Sequence, residues 1–395
     1  MDRRQLVRTM CFGGLATFTA PLANFAKVPG HGKLVFVLLR GGFDGLAALV
    51  PTDDRDYGSI RGRMAYEAAD LTMLDNGFAL APGLAPLADF WARGELAALQ
   101  AMAIPYRTRS HFDGQAVLET GLDKPAGASD GWLNRLLQVM GGETSAVAVA
   151  AGLPRSLSGP APVLTWSPTE LGVLGDEYVE RLHLLYREDP RLLDRFEAAL
   201  QLGETAGDMM EGGGMAGQRG RQFTPGARES GIFQATAKLL AGPDAPNIAA
   251  VEFGGWDTHA NQGMAGGQLD RRLGGLAQGL AAFRAAAGAM WDDTTVVVMT
   301  EFGRTAQPNG TGGTDHGTAG AGFVLGPRLA RSQVLTDWPG LGKRALYEGR
   351  DLRPTLDTRA VLKAVVASVF DLTVAQTERI FPDSSAIRPV AGLLS

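Results

Sequence analysis

Residues 34–45, which read LVFVLLRGGFDG, decide the fold. Their first six residues are all apolar, and such an unbroken run indicates a strand buried on both faces, as in a parallel sheet. Gly41 and Gly42 then let the backbone turn tightly, so Asp44 is expected at the carboxyl edge of the sheet. A capping role for Asp44 is the alternative, because Asp-Gly is also a common turn. The stretch therefore predicts a buried strand followed by a polar loop.

Five further apolar runs share the character of the first. They lie at residues 96–99, 146–149, 248–251, 295–299 and 322–325. The run at 96–99 is the most ambiguous, because alanine and leucine also favour helices. Before the run at 295–299, apolar residues recur at the spacing of one helix face, at Leu269, Leu273, Leu276, Leu280 and Phe283. This alternation predicts an α/β fold with a mainly parallel sheet flanked by helices.

The N-terminus has the pattern of an export signal. Arg3 and Arg4 precede an apolar, Gly- and Ala-bearing stretch at residues 10–26, in the order charged, apolar, small. This stretch is broken by Pro21 and is shorter than the roughly 20 apolar residues that span a bilayer comfortably. We therefore predict a signal at residues 1–26, recognition by the twin-arginine export machinery, a periplasmic or extracellular location, and no stable membrane anchor.

The composition excludes several classes of protein. The chain's single cysteine lies inside the predicted signal, so the exported protein has no disulfide and no cysteine-based metal site. The apolar fraction of 45% is ordinary for a globular protein, and the formal charge of −5 gives no support to nucleic-acid binding. Residues 27–395 are predicted to form a single α/β domain with a Gly- and Met-rich insertion near residues 203–225.

Acidic and histidine residues follow the later strands of the predicted sheet. In chain order they are Asp257, His259, Glu301, Asp315 and His316. Open α/β sheets place their sites at the carboxyl ends of strands, so these side chains are expected to converge. Carboxylates and imidazoles are ligands for divalent ions such as zinc, manganese or calcium. The sequence therefore predicts a site for one or two divalent metal ions.

A second polar segment, residues 107–113, reads RTRSHFD and precedes a predicted helix. Ser110 and His111 stand at the start of that helix, where a hydroxyl can hold or attack an anion. Ser110 with Asp113 also resembles a capping arrangement. Arg109 and Arg304 are candidate clamps for a tetrahedral oxyanion, with surface salt bridges as the alternative. The candidate catalytic residues are Ser110, His111, Arg109 and Arg304.

Taken together and in order, these motifs resemble the domain-of-unknown-function 1501 family. The residues that carry the resemblance are 39–45, 109–113, 131–133, 255–259, 300–304 and 314–317, besides the export signal. The resemblance covers essentially the whole chain after residue 26. That family is similar to the alkaline phosphatase and sulfatase superfamily, whose members carry metal ions, often two, on a mainly parallel sheet. An alkaline phosphatase/sulfatase-like α/β domain is therefore expected.

The resemblance also implies a ligand set and a nucleophile. The implied metal ligands are Asp44, Asp257, His259, Glu301, Asp315 and His316. Ser110 takes the position of the superfamily's nucleophile. The superfamily usually has an Asp-His pair directly after its late strand, whereas here that strand ends in Glu301 and the Asp-His pair follows a loop. A one-metal site and a two-metal site therefore both remain open.

The predicted function is metal-dependent hydrolysis of an anionic phosphate or sulfate ester outside the cytoplasm. Metal ions, or one ion with an arginine, would neutralise the anion and lower the pKa of a hydroxyl or water nucleophile. The alternative is a catalytically degenerate exported protein that binds or matures a secreted polymer or partner protein. The imperfect ligand pattern favours this alternative, whereas His111, His259 and His316 together favour the enzyme.

Overall fold

The structure, a computed structural model, describes residues 32–142, 144–167, 226–242 and 245–395, together with the single positions Tyr186 and Leu193. The predicted export signal and the predicted insertion at residues 203–225 lie outside these ranges. None of the helices in the described ranges is long and apolar enough to cross a membrane. The predicted α/β fold with a mainly parallel sheet is confirmed.

All six apolar runs form strands. The strands are β1 (Lys33–Leu39), β2 (Leu49–Pro51), β3 (Thr72–Met73), β4 (Phe78–Leu80), β5 (Leu96–Ala103), β6 (Ala146–Val149), β7 (Leu164–Trp166), β8 (Ile248–Phe253), β9 (Thr294–Thr300), β10 (Gly320–Leu325), β11 (Gln333–Leu335) and β12 (Leu356–Asp357). In the described chain, nine of them form one sheet in the order β11-β5-β10-β9-β1-β8-β6-β7, with β12 also paired to β5. The short strands β2, β4 and β3 form a separate antiparallel sheet.

The strand directions bring the carboxyl ends of several strands to one edge. β1 is parallel to both of its neighbours, so that Leu34 pairs with Ile248 on one side and Thr295 on the other. β10 is antiparallel to β9 and to β5, which makes β5 parallel to β9. As a result, β1, β5, β8 and β9 end at the edge where β10 begins.

Helices cover both faces of the sheet. They are α1 (Gly45–Ala48), α2 (Tyr57–Arg61), α3 (Ala88–Ala92), α4 (His111–Thr120), α5 (Trp132–Met140), α6 (Ala227–Leu239), α7 (Gln268–Ala287), α8 (Thr358–Val369) and α9 (Val374–Ile380). The amphipathic stretch predicted from its apolar spacing is α7, and all five of the apolar residues that defined it are buried.

Alternate residues of β1 enter two separate hydrophobic cores. Val35 and Val37 join the core that contains the apolar face of α7. Phe36 joins the opposite core, where its ring meets the edge of Trp132 at a centroid distance of 5.2 Å. Burying one such side chain stabilises the fold by about 1.5–3 kcal/mol, so this strand cannot tolerate polar residues on either face. The two-sided burial explains the unbroken apolar run.

Candidate metal centre

The site residues come from loops at the edge where β10 begins. His111 is the first residue of α4, which follows β5, and Asp257 lies in the loop after β8. Glu301 directly follows β9, and His316 lies in the segment that leads into β10. These loops contact one another directly, for example through a bridge between Ala260 and Gly312. The convergence expected from the sequence is therefore present.

His259 and His316 are each oriented by an oxygen at Nδ1. His316 Nδ1 lies 3.0 Å from the carbonyl oxygen of Arg109, and His259 Nδ1 lies 3.2 Å from Asp315 Oδ1. A carbonyl oxygen can only accept, so Nδ1 of His316 donates its proton to it. A hydrogen bond from Asn309 is the largest of the effects that lower the pKa of Asp315, which keeps that carboxylate an acceptor as well. In the neutral rings, Nε2 then carries a lone pair.

His111 is oriented by Glu301 in the same way. Its Nδ1 lies 2.8 Å from Glu301 Oε1, which also accepts from Gly41 N at 2.9 Å and from Gln115 Nε2 at 3.0 Å. Burial alone would raise the pKa of the fully buried Glu301, but the hydrogen bonds from His111 and Gln115 lower it on balance. The hydrogen bond to Glu301 in turn raises the pKa of His111. Glu301 therefore lies behind the imidazole, on its Nδ1 side.

The Nε2 atoms of the three histidines meet at Asp257. His316 Nε2 lies 2.9 Å from His111 Nε2 and 3.0 Å from His259 Nε2. Asp257 Oδ1 lies 2.9 Å from His259 Nε2 and 3.1 Å from His316 Nε2. Asp257 Oδ2 lies 3.4 Å from His111 Nε2. We call these four residues the His-Asp cluster.

The His-Asp cluster fits a divalent cation. The ligand atoms of His111, Asp257 and His316 all lie within 4.8 Å of one another. In neutral rings that give each Nδ1 proton to an oxygen, the Nε2 lone pairs face each other at hydrogen-bonding distance. A cation among the lone pairs would hold them together, and so would a second proton on His111, whose pKa the hydrogen bond to Glu301 raises, by donating from Nε2 to His316. Imidazole nitrogens with a carboxylate oxygen form a ligand set that zinc and manganese use.

Arg304 supports the carboxylate of the cluster. Its guanidinium is fully buried, and Nη1 forms an ion pair with Asp257 Oδ1. Nε donates to Thr314 Oγ1 at 3.1 Å, and Nη1 also approaches the Gly41 carbonyl oxygen at 3.4 Å. Burial would raise the pKa of Asp257, but the hydrogen bond from Arg304 lowers it overall. The structure thus places Arg304 against Asp257, with its donors used inside the protein.

Arg109 and Ser110 flank the cluster. Arg109 has a left-handed backbone, with φ 64°, and its side chain donates to Asp351 Oδ2 at 2.8 Å and to Glu348 Oε2 at 2.6 Å. Ser110 is the N-cap of α4, where its Oγ accepts from Asp113 N at 3.5 Å. The capping geometry considered for Ser110 is therefore present. Its role as nucleophile, and that of Arg109 as anion clamp, stay predictions.

Asp44 lies outside the His-Asp cluster. Its buried Oδ2 receives hydrogen bonds from Arg61 Nη2 and Gln262 Nε2, both at 2.7 Å, and its Oδ1 accepts from Ala47 N at the start of α1. The structure thus gives Asp44 an ion pair and a helix cap as partners. Arg61 comes 17 residues later in the chain, in a segment without any recognisable motif. Nothing in the sequence pointed to this pair.

Two glutamines of the site were also missed by sequence reasoning. Gln115 stands four residues after His111 on the same helix, so the two side chains share one face, and this spacing could have identified it. Gln262 joins Asp44 to the loop of the cluster, because its Oε1 accepts from Thr258 Oγ1 at 2.7 Å. No comparable spacing signals the second glutamine.

Fold and site together define an α/β protein with a candidate histidine and carboxylate metal centre at the edge of its sheet. The family model described as "Protein of unknown function (DUF1501)" matches residues 86–381. The chain therefore belongs to this family, as the sequence resemblance implied. No curated protein matches the sequence.

Solved structures with a similar fold share little sequence with this chain. Ps i-CgsB in complex with k-i-k-neocarrahexaose is 9% identical, with a TM-score of 0.40 over 91% of this chain and 77% of that one. The C-terminal periplasmic domain of EcEptC from Escherichia coli, in complex with Zn, is 12% identical, with a TM-score of 0.33 over 80% and 76% of the two chains. A mutant of alkaline phosphatase PafA is 9% identical, with a TM-score of 0.32 over 71% and 64%. TM-scores of 0.32–0.40 at 9–12% identity support no conclusion about the activity of this chain.

Proposed function

We propose that this protein is an exported metal-dependent hydrolase of phosphate or sulfate esters. One observation carries the proposal: the Nε2 atoms of three histidines converge with Asp257, while the Nδ1 atoms are held by oxygens. Metal-binding histidines almost always make such a second hydrogen bond to a carboxylate or carbonyl oxygen. The residues that would hold the ion are His111, Asp257, His259 and His316.

A divalent ion in this position would supply positive charge to an anionic ester and lower the pKa of the attacking hydroxyl or water. The protein's own residues orient the centre. Glu301 and Asp315 act from behind His111 and His259 by fixing their tautomers, instead of entering the ligand set themselves. Ser110, which directly precedes His111, is the proposed nucleophile. This division of roles supports a single metal position.

Ester hydrolysis by the full chain tests the proposal. Wild-type protein is assayed on a panel of phosphate and sulfate esters beside His259→Ala, with Asn261→Gly as the matched control. Asn261 is exposed in the same loop, and its left-handed φ of 49° suits glycine. We expect the control to retain turnover and His259→Ala to lose at least about a hundredfold. Activity that is indifferent to His259→Ala would contradict the proposal.

A second outcome of the same assay supports the alternative function. If the protein holds a metal at the His-Asp cluster but turns over no ester in the panel, an exported binding or maturation factor becomes the better account. Two observations agree with that alternative: Asp44 is paired with Arg61, and the guanidinium of Arg304 is paired with Asp257 inside the protein. Asp44 as a metal ligand and Arg304 as an anion clamp stay predictions.

We infer that residues 1–26 direct export through the twin-arginine machinery to the periplasm or beyond. Arg3 and Arg4 before an apolar stretch support this inference. The site adds a physical reason, because ligands from loops far apart in the chain can assemble only after folding, and this machinery carries folded proteins. Replacing Arg3 and Arg4 together by lysine should keep the protein inside the cell. Normal export of that variant would contradict the inference.

A further inference from the structure

A cavity of about 250 Å³ lies beside the metal centre, at the end of β8. Gly254 and Trp256 line it from the same loop that carries Asp257. Arg272 of α7 and Arg228 of α6 contribute guanidinium groups from the helical side. The cavity therefore borders the metal centre through a single loop and contains side chains that the proposed hydrolysis does not use.

Two buried nitrogens of this cavity's lining lack acceptors. Arg272 Nε and Trp256 Nε1 are inaccessible to solvent and have no hydrogen-bond partner. Trp256 as a whole is only 3% exposed. Buried N–H groups are nearly always paired, because leaving them unpaired forfeits the hydrogen bond that water would have made. An acceptor oxygen that displaced the atoms now covering these nitrogens would satisfy both donors.

The charges around the cavity favour an anionic ligand. Among the cavity's carboxylates, Glu252 forms an ion pair with Arg40, which also pairs with Glu119 outside the lining. Glu229 is the other carboxylate of the lining. Within the described ranges, neither Arg228 nor Arg272 forms an ion pair, and the lining itself holds three arginines against two carboxylates.

The guanidinium of Arg272 is held in place by Gly255. A Cβ atom at Gly255 would lie 2.5 Å from Arg272 Nη1 and 2.7 Å from Cζ, and the φ of +88° also excludes most other residues. The guanidinium thus packs against the backbone two residues before Asp257. This contact puts the guanidinium beside the loop that carries Asp257.

We propose that this cavity binds an oxyanion, that is, a carboxylate, sulfate or phosphate group, through Arg272 and Trp256, with Arg228 at its exposed rim. Because the cavity shares a loop with the metal centre, the substrate is an ester that carries a second oxyanion on the same molecule. The statement about the substrate rests on the proposed function. The oxyanion site itself does not, because the cavity residues are separate from the proposed metal ligands.

Calorimetric titration of the full chain with inorganic sulfate, at constant ionic strength, tests the oxyanion site. We expect Arg272→Gln to raise the Kd for sulfate about tenfold, the effect of losing one charged hydrogen-bond partner. Arg271→Gln is the matched control, since Arg271 is the exposed neighbour on α7 and bonds the Gly266 carbonyl oxygen. Arg228→Gln, at an exposed position, should weaken sulfate binding without affecting folding. Equal sulfate binding by Arg272→Gln and wild type would overturn the proposal.

The same titration in a His316→Ala background separates this site from the metal centre. Sulfate binding should persist there, whether or not the protein hydrolyses any ester. Loss of sulfate binding in His316→Ala would place the anion at the metal centre and overturn the cavity site. Absence of ester turnover with sulfate binding intact would contradict the proposed function alone.

Kinetics with two related esters test the nature of the substrate. Carboxyphenyl phosphate carries a second oxyanion, whereas phenyl phosphate does not. In Arg272→Gln we expect KM for carboxyphenyl phosphate to rise about tenfold, with kcat little changed, and KM for phenyl phosphate to stay within about twofold of wild type. Equal rises in KM for both esters would overturn the assignment of a second oxyanion to the substrate.

Discussion

Replacing Glu301 by glutamine removes a charge behind the metal centre while keeping the shape of the side chain. Glu301 is fully buried, and its Oε1 accepts from His111 Nδ1, Gly41 N and Gln115 Nε2. The amide oxygen of glutamine can still accept these hydrogen bonds. Its amide nitrogen would face Thr300 Oγ1, which lies 3.0 Å from Glu301 Oε2. We therefore expect the fold to persist and His111 to become a weaker electron donor at Nε2.

The expected loss is confined to metal affinity. Removing a partner of a metal-bound histidine typically lowers metal affinity by about 10–100-fold, equivalent to about 1.4–2.7 kcal/mol of binding free energy. We expect Glu301→Gln to raise the Kd for zinc by that factor, while its free energy of unfolding in urea stays within about 1 kcal/mol of wild type. Competition for zinc against a colorimetric chelator gives the Kd, and urea unfolding without metal gives the stability.

Asp270→Asn is the matched control for this substitution. Asp270 is also a buried acid that accepts from backbone N–H groups, of Gly83 and Gly266, but it has no contact with the His-Asp cluster. Its substitution should leave the Kd for zinc unchanged. An equal Kd for Glu301→Gln and wild type would show that Glu301 does not act on a metal ligand.

Three further substitutions probe other parts of the site. Ser110→Ala should abolish ester turnover and lower the free energy of unfolding in urea by about 1 kcal/mol, because it removes the cap of α4. Ser110→Asn should restore stability but not turnover, and an active Ser110→Asn would exclude Ser110 as nucleophile. Gly41→Ala should lower the free energy of unfolding by about 1–3 kcal/mol and weaken zinc binding, because the φ of Gly41 is +127° and a Cβ there would lie 2.6 Å from Asp257 N. Gly58→Ala is the control, since a Cβ at Gly58 meets nothing, and an equal zinc affinity in the two variants would contradict this prediction. Arg61→Leu leaves Asp44 buried without its cation and should lower the free energy of unfolding in urea by about 3–5 kcal/mol. A decrease of less than about 1 kcal/mol would contradict the importance of this ion pair.

The main strands could be predicted because the sheet is buried on both faces. The six runs are nearly continuous apolar segments, and every residue of β1 and β9 is buried. The direction of β10 was not predictable, because the composition of Gly320–Leu325 is the same whichever way the strand runs. Strands of two or three residues, such as Thr72–Met73, are too short to give a recognisable pattern.

The strand topology was enough to predict where the site lies, but not which acidic residue contacts which partner within it. Parallel strands end at the same edge, so Asp257, His259 and His316 were expected to meet, and they do. Whether an acid approaches a histidine at Nδ1 or Nε2 depends on ångström-scale packing. Asp44 and Glu301 both follow buried strands, yet one pairs with an arginine and the other with a histidine.

Metal content is the most direct test of the metal centre. We would purify the full chain, dialyse it against metal-free buffer, and count bound ions by mass spectrometry, for wild type and for a variant carrying His111→Ala, His259→Ala and His316→Ala together. From the proposed metal centre we expect about one divalent ion per wild-type chain and essentially none in the variant. No bound ion in the wild type after exposure to zinc or manganese, or equal metal content in the variant, would contradict the proposed metal centre.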